Sequence, residues 1–453
     1  MDKRTFIQAS SIIAGGVILS PLIRCKSRTT GEHLSNWAGN LKYSTGNVHY
    51  PKSVSEVQEL VKRLSKCTAL GSRHSFNTIA DSTENQISTQ NLNKIVSLDK
   101  SSHTVTVEAG MRYGELSPYL DENGYALNNL ASLPHITVAG ACATATHGSG
   151  ITNGNLSTAV SAIEFVNASG EVIVLSKDKN PEQFYGVVVS LGAVGIVTKV
   201  TLELQPTFNM KQVVYRNMPM EELKNNFSSI MSSGYSVSLF TDWKNKNINE
   251  VWIKSKVGPN ETAEEAPSIL HGASIATQNM HPVESQSAET CTDQMGAPGP
   301  WHERMPHFKM GFRPSTGKEL QAEYFVPFEQ GYEALMAVEK LHEKITPHLF
   351  ISEIRSIQKD DFWMSPCYKK DCVSIHTTWK QEIDTVNELL PMVEEQLARF
   401  NPRPHWAKLF ALPPAVLQSR IEKLGDFRQL ANQYDPNGKF RNEFLNRNIF
   451  NGS

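Results

Sequence analysis

Polar and apolar positions alternate with two periods along the 453-residue chain, and these periods divide it into a series of short elements. Ser53-Val-Ser-Glu56 is a capping box, and behind it Val54, Val57, Leu60, Val61 and Leu64 recur on one helical face. That helix leads through Thr68-Ala69-Leu70 into Gly71, a strand-to-loop transition. Strand-like runs follow at 95–98 and 104–107, the second alternating strictly in polarity. Tyr113, Leu116 and Leu120 predict another amphipathic helix. Three further strands are expected at 162–166, 172–175 and 195–204, separated by turn residues. The pattern is that of an α+β domain of short strands and few helices, running to about Pro206.

A second set of elements follows. Strands are predicted at 236–240, 251–254, 319–326 and 373–378, and helices at 331–342 and 386–400. Between them, 258–306 is polar and rich in Gly, Pro, Ser and His, which predicts an extended loop or insertion. Near the end, Tyr434-Asp-Pro-Asn-Gly-Lys-Phe440 is a turn separating a helix from the terminal segment. The length itself calls for two or three domains.

Composition narrows the class. With 44 basic and 46 acidic residues the net charge is −2, which gives no electrostatic case for nucleic acid or an anionic membrane surface. The six cysteines show neither zinc-type pairing nor a CxxC motif, so no metal is expected; most are read as buried packing residues. The first 30 residues stand apart. Lys3-Arg4-Thr5-Phe6-Ile7 precedes an apolar stretch from Ala9 to Leu19, well short of the roughly 20 residues needed to span a bilayer. This predicts export, to the periplasm, by a twin-arginine-like signal with Lys in place of the first Arg. An ordinary secretory signal and an uncleaved amphipathic start are the alternatives. The chain carries no signal for an oligomeric state.

Candidate chemistry gathers in the loops. Gly71-Ser72-Arg73-His74-Ser75-Phe76-Asn77 puts a histidine in a tight polar turn, which alone reads equally as a solvated or capping histidine. Gly140-Ala-Cys-Ala-Thr144 and His147-Gly148-Ser149-Gly150 are nearly free of large side chains, so their backbone N–H groups can approach phosphate, or simply pack a tight turn. Gly192-Ala-Val-Gly195-Ile196 adds a third small-residue turn. None is a GxGxxG after a first strand, so a nicotinamide-binding reading is weak. In the second half, Glu353-Ile-Arg355 places a carboxylate and a guanidinium on one strand face. His376-Thr377-Thr378-Trp379 and His405-Trp406-Ala-Lys408 supply further hydrogen-bonding groups; surface ion pairs or solvated strand faces are the plainer alternative.

The 71–77 loop, Leu133-Pro134-His135, the 140–150 run and Ser190-Leu-Gly-Ala-Val-Gly195 together resemble the PCMH-type flavin domain of the vanillyl-alcohol-oxidase superfamily. Within it the chain looks most like the alditol (xylitol) oxidases, with sugar-lactone oxidases more distant. The similarity runs from about residue 36 to the C-terminus and includes Asn36-Trp37-Ala-Gly-Asn40, Pro300-Trp-His-Glu-Arg304, Leu320-Gln-Ala-Glu-Tyr324 and the 435–440 turn. It implies an FAD-binding domain over 36–206, a substrate or cap domain over 207–420, and a segment from 421 to 453 that returns to the FAD domain.

The resemblance also implies that His74 bonds covalently to the flavin 8α-methyl group. Leu70, Gly71, Ser72, Arg73, Ser75, Ser132, Thr137, Gly140, Thr144, His147, Gly148 and Ser149 would surround the cofactor, chiefly its pyrophosphate. The backbone at Gly195 and Ile196 would face the adenine half, and His405 would lie near the isoalloxazine. Ser132, Glu353, Arg355, Thr378 and Lys408 would contact a polyol, whose hydroxyls need donors and acceptors alike. Arg355 and Lys408 would then stabilise a developing alkoxide, His376 would accept the proton, and Glu353 would either act on substrate or hold Arg355. The implied activity is FAD-dependent oxidation of the terminal CH–OH of an alditol, with O2 as acceptor and H2O2 as product. A sugar-1,4-lactone oxidase or dehydrogenase and a non-catalytic flavin- or sugar-binding protein are the rival readings.

Overall fold

The computed structural model describes residues 31, 33–258, 266–312 and 318–450; the expected export leader and part of the 258–306 segment lie outside them. In the first half, the capping box opens helix Val54–Arg63, where the Ser53 hydroxyl accepts from the Glu56 N–H at 3.2 Å and Val57, Leu60 and Val61 are buried. A small parallel sheet pairs Gln86–Ser88 with both Val48–His49 and Thr68–Leu70, and the last of these strands delivers the chain to Gly71. Beside it, an antiparallel five-stranded sheet has the order Ile95–Asp99, Thr104–Glu108, Ile196–Glu203, Val160–Val166, Val172–Ser176. Val105, Val107, Phe165, Val200 and Leu202 from this sheet share one core with Leu116 and Leu120 of helix Tyr113–Glu122.

The chain leaves this core and comes back to it. Helix Leu424–Tyr434 packs Phe427, Leu430 and Ala431 into it. Buried Asp435 then caps the predicted turn, accepting from the N–H groups of Lys439 and Phe440 at 2.7 and 2.9 Å. Asn442 donates to the carbonyls of Ile79 and Asp81, tying the C-terminal segment to the first half.

The second domain is one large antiparallel sheet. Its central order is Asn209–Pro219, Asn247–Val257, Ser236–Thr241, Leu349–Ile357, Cys372–Lys380, Glu319–Pro327. Alternation gives this sheet two different faces. Leu239, Val251, Leu320, Ala322, Tyr324, Ile354, Val373 and Ile375 form a core with helices Leu223–Met231, Gly331–Glu339 and Ile383–Leu397. The opposite face carries Glu323, His376 and Glu353 side by side, since His376 is in register with both carboxylates. That polar face is nevertheless buried, because it is turned toward the first domain: the Gly150 N–H reaches the Ser356 carbonyl at 2.9 Å, and the Ser149 hydroxyl donates to the Val237 carbonyl.

Several elements depart from the sequence expectation, among them the small parallel-sheet strands Val48–His49 and Gln86–Ser88 and the helices Val138–Ala143 and Pro181–Val187. Strand Asn209–Pro219 was not anticipated, because buried Gln212 interrupts its apolar face. Helix Leu223–Met231 buries only four positions in a polar stretch. The 258–306 segment, expected as a loop, holds short strands at Ile269–Leu270 and Ala273–Ile275 and a helical turn at Trp301–Arg304. The five described cysteines are all free and buried. Among the described residues no helix is long and apolar enough to cross a membrane.

Candidate active site

The 71–77 loop is fastened on both sides. Asn36 donates to the Ser75 carbonyl at 2.7 Å and the Trp37 N–H to the Arg73 carbonyl at 2.9 Å, so the Asn36–Asn40 motif wraps its outer edge. On the inner edge the Phe76 N–H reaches the Ala407 carbonyl at 2.7 Å, and Asn77 donates to the carbonyls of Trp406 and Lys408 at 2.8 and 2.6 Å. A histidine loop from one domain and a lysine loop 330 residues later are thereby held together.

Between the domains runs one continuous cavity. Gly71, Ser72, Arg73, His74, Ser75, Ser132, Thr137, Gly140, Thr144, His147 and Gly195 line it from the first domain, and Glu353, Arg355, His376, Thr378, His405 and Lys408 from the second. Leu70, Gly148, Ser149 and Ile196 are not among its lining residues. Leu70 is buried at the end of its strand, Gly148 is pressed against Asn129 and Leu130, Ser149 is turned to Val237, and Ile196 fills a core beside Val166. Ser190, Leu191, Gly192 and Val197 supply wall in that region instead.

The first-domain end is narrow and polar. Thr137 caps helix Val138–Ala143, and its buried hydroxyl has no hydrogen-bond partner among the described residues. A Cβ at either Gly71 or Gly140 would sit 2.8 Å from that hydroxyl, so only glycines leave it open to a ligand. Arg73 and Leu191, both lining the cavity, have φ of 63° and 58°, the strained conformation that clusters at ligand clamps. The His74 ring packs against the Trp37 ring, centroids 4.5 Å apart and tilted by 41°, and makes no hydrogen bond to a described residue. Burial and the nearby Lys408 charge hold its imidazole down to about 3, so it is neutral near pH 7.

The second-domain end is a buried charge network centred on Glu323 of the Leu320–Tyr324 motif, a residue to which the sequence attaches no role. Glu323 is fully buried and accepts from Lys408 Nζ at 2.6 Å and Arg355 Nη2 at 2.8 Å, while His147 Nε2 lies 3.2 Å away. Burial alone would raise its pKa; Lys408, His147 and Arg355 together hold it well below the usual carboxylate range. Lys408 Nζ also donates to His376 Nδ1 at 2.7 Å, which leaves the proton on Nε2 to donate to the Thr378 hydroxyl at 3.0 Å. Burial and Lys408 lower His376 to about 4, so its base lone pair is the one Lys408 occupies. Arg355 contacts Ser132 Oγ at 3.3 Å and lies 3.6 Å from Glu353, and the second oxygen pair of the site is completed by His307, 2.7 Å from Glu353 Oε1. The lining residues His281, Pro282 and Val283 come from the 258–306 segment, where the sequence offers composition but no periodicity, and His307 and Phe308 follow it directly.

An FAD binding domain family matches residues 46–176, and a D-arabinono-1,4-lactone oxidase family matches residues 314–448. The chain is 41% identical over 422 residues to an alditol oxidase from a Streptomyces species, covering 92% of this chain and 99% of that protein. It belongs to the alditol oxidase family. L-gulonolactone oxidase of Mus musculus is 26% identical over 443 residues, covering 92% of this chain and 98% of that one. L-gulono-1,4-lactone dehydrogenase of Mycobacterium tuberculosis is 26% identical over 442 residues, covering 91% and 98%. The cholesterol oxidase from B. sterolicum shares the fold, with a TM-score of 0.76 at 14% identity over 96% of this chain and all of that one. The family is one of two-domain FAD enzymes, and the open Thr137 hydroxyl between two glycines suits that cofactor's pyrophosphate.

Proposed function

We propose that this protein oxidises the terminal CH–OH of an alditol such as xylitol or sorbitol to the aldose, with O2 as final acceptor and H2O2 as the second product. The observation that carries the reading is the single cavity joining the His74 loop to a wall of buried donors and acceptors. The 41% identity to an alditol oxidase over nearly the whole chain supports it. FAD, when bound, supplies the hydride acceptor. His74 is the residue that would hold it covalently: its ring is neutral, makes no hydrogen bond among the described residues and lies in the cavity wall. Thr137, Ser72 and the 140–144 stretch of the following helix would bind the pyrophosphate.

The chain's own groups do the rest. Ser132, Glu353, Arg355, Thr378 and Lys408 orient a neutral polyol, since between them they offer both donors and acceptors. Arg355 and Lys408 stabilise negative charge as it develops on the reacting hydroxyl oxygen. Both cations are held in place by Glu323. The hydroxyl proton passes to Lys408 Nζ as Lys408 hands one of its own to His376 Nδ1, the lone pair it already donates to at 2.7 Å. Residues 1–30 serve as an export leader in this reading, on the strength of their basic start and short apolar core.

The test is a comparison of kcat/KM for polyols, aldoses and sugar-1,4-lactones, followed by oxygen uptake. Polyols should be preferred. The partial match to a lactone oxidase family makes the lactone the competing substrate, and a preference for it would overturn the proposal.

A further inference from the structure

Lys254 is a lysine with almost no exposed surface, in the strand Asn247–Val257. Such a group is costly to bury unless all its hydrogens are paired. Here they are. Nζ donates to the carbonyls of Met305 and Pro306 at 2.6 and 2.8 Å and to His307 Nδ1 at 3.1 Å. Three hydrogens meet three acceptors in one tight turn.

This pairing decides the state of His307. With Nδ1 accepting from the lysine, the ring proton sits on Nε2, which donates to Glu353 Oε1 at 2.7 Å. The other Glu353 oxygen is then the one that faces Arg355, at 3.6 Å. The same turn has a second output: the N–H groups of His307 and Phe308 both reach the Ser132 carbonyl, at 2.9 and 3.2 Å. Two substrate-facing residues from different domains, Glu353 and Ser132, are thus referred to one turn that Lys254 holds.

We propose that Lys254 is a positioning residue of this active site: by fixing the 305–307 turn and the Nε2–H form of His307, it sets the orientation of the Glu353 carboxylate and the place of Ser132. Lys254 itself does not line the cavity and touches no substrate group directly. Burial lowers its ammonium to about 7 even with the Glu353 carboxylate partly offsetting the fall. The proposal rests on the assignment of Glu353 and Ser132 to the substrate.

The test uses flavin-loaded enzyme. Lys254→Met and His307→Leu should each lower kcat/KM per bound flavin by roughly 10- to 100-fold, the effect of a lost charge-assisted hydrogen bond. His307→Gln, whose amide offers an acceptor and a donor with a spacing close to that of the ring nitrogens, should regain most of the loss. Independently of turnover, 15N-histidine NMR should show His307 protonated at Nε2 in the wild type, with that preference lost in Lys254→Met. A His307 protonated at Nδ1 would overturn the proposal. So would variants whose stability or flavin content falls while kcat/KM per flavin stays at the wild-type value. If Lys254→Met does not fold, the His307→Leu and His307→Gln pair decides. Wild-type enzyme that oxidises lactones and not polyols would refute the polyol reading alone; the same variant comparison is then made with the lactone.

Discussion

Glu323→Gln is the substitution that most strains the site. The carboxylate is fully buried and takes Lys408 at 2.6 Å and Arg355 at 2.8 Å. At an effective dielectric near 20, each contact at such a distance carries roughly 6 kcal/mol of Coulomb attraction before desolvation is counted. The amide keeps the volume but removes the charge, leaving two buried cations facing each other with one neutral acceptor. Breaking a buried pair in this way typically costs about 3–5 kcal/mol. Denaturant unfolding of the flavin-loaded variant should show a loss of that size, and turnover should fall with it as Arg355 and Lys408 lose their common anchor. The double variant Glu323→Gln/Lys408→Met removes one of the stranded cations, so it should be more stable than Glu323→Gln alone. A Glu323→Gln protein within about 1 kcal/mol of wild type, with kcat unchanged, would refute the reasoning.

Replacing Arg355 or Lys408 with Ala should lower polyol kcat/KM by roughly 100-fold or more while flavin stays bound; near-normal kinetics in both would reject their role at the alkoxide. His74→Ala should release its flavin into the supernatant on acid precipitation, whereas the wild type should retain its colour in the pellet. Acid should destabilise the fold early. His307 and His376 are held from 6.5 down to about 4, so between those values the unfolded chain binds protons that the native chain refuses, and stability falls as pH drops through that window. Each histidine contributes up to roughly 3 kcal/mol by that route, and an unfolding midpoint flat from pH 7 to pH 4 would contradict it.

Much of the site could be read from the sequence because its carriers are local. The 71–77 loop, the Gly140–Thr144 stretch and the Glu353–Arg355 pair each announce themselves by residue type and spacing, and the fold brings them to one cavity. Glu323 was equally open to inspection. In Glu319–Val326 the polar residues Glu319, Gln321 and Glu323 alternate with Leu320, Ala322 and Tyr324, a strand with one apolar and one polar face. Nothing local says that the polar face is buried; that follows from a second domain closing over it. Lys254 and His307 were hidden for a different reason. Lys254 closes the apolar run Val251-Trp252-Ile253 and looks like an ordinary outward strand residue, and His307 follows a segment without periodicity, so their pairing exists only in three dimensions. Leu70, Gly148, Ser149 and Ile196 belong to the same motifs, and the fold sets them behind the cavity wall rather than in it.

The central claim is tested most directly by anaerobic titration of the purified holoenzyme with xylitol. The flavin absorbance should bleach in proportion to the aldose formed, and admitting air should restore the colour with one equivalent of peroxide per aldose. Flavin that stays oxidised with every polyol, yet bleaches with a sugar-1,4-lactone or with no added substrate, would contradict it.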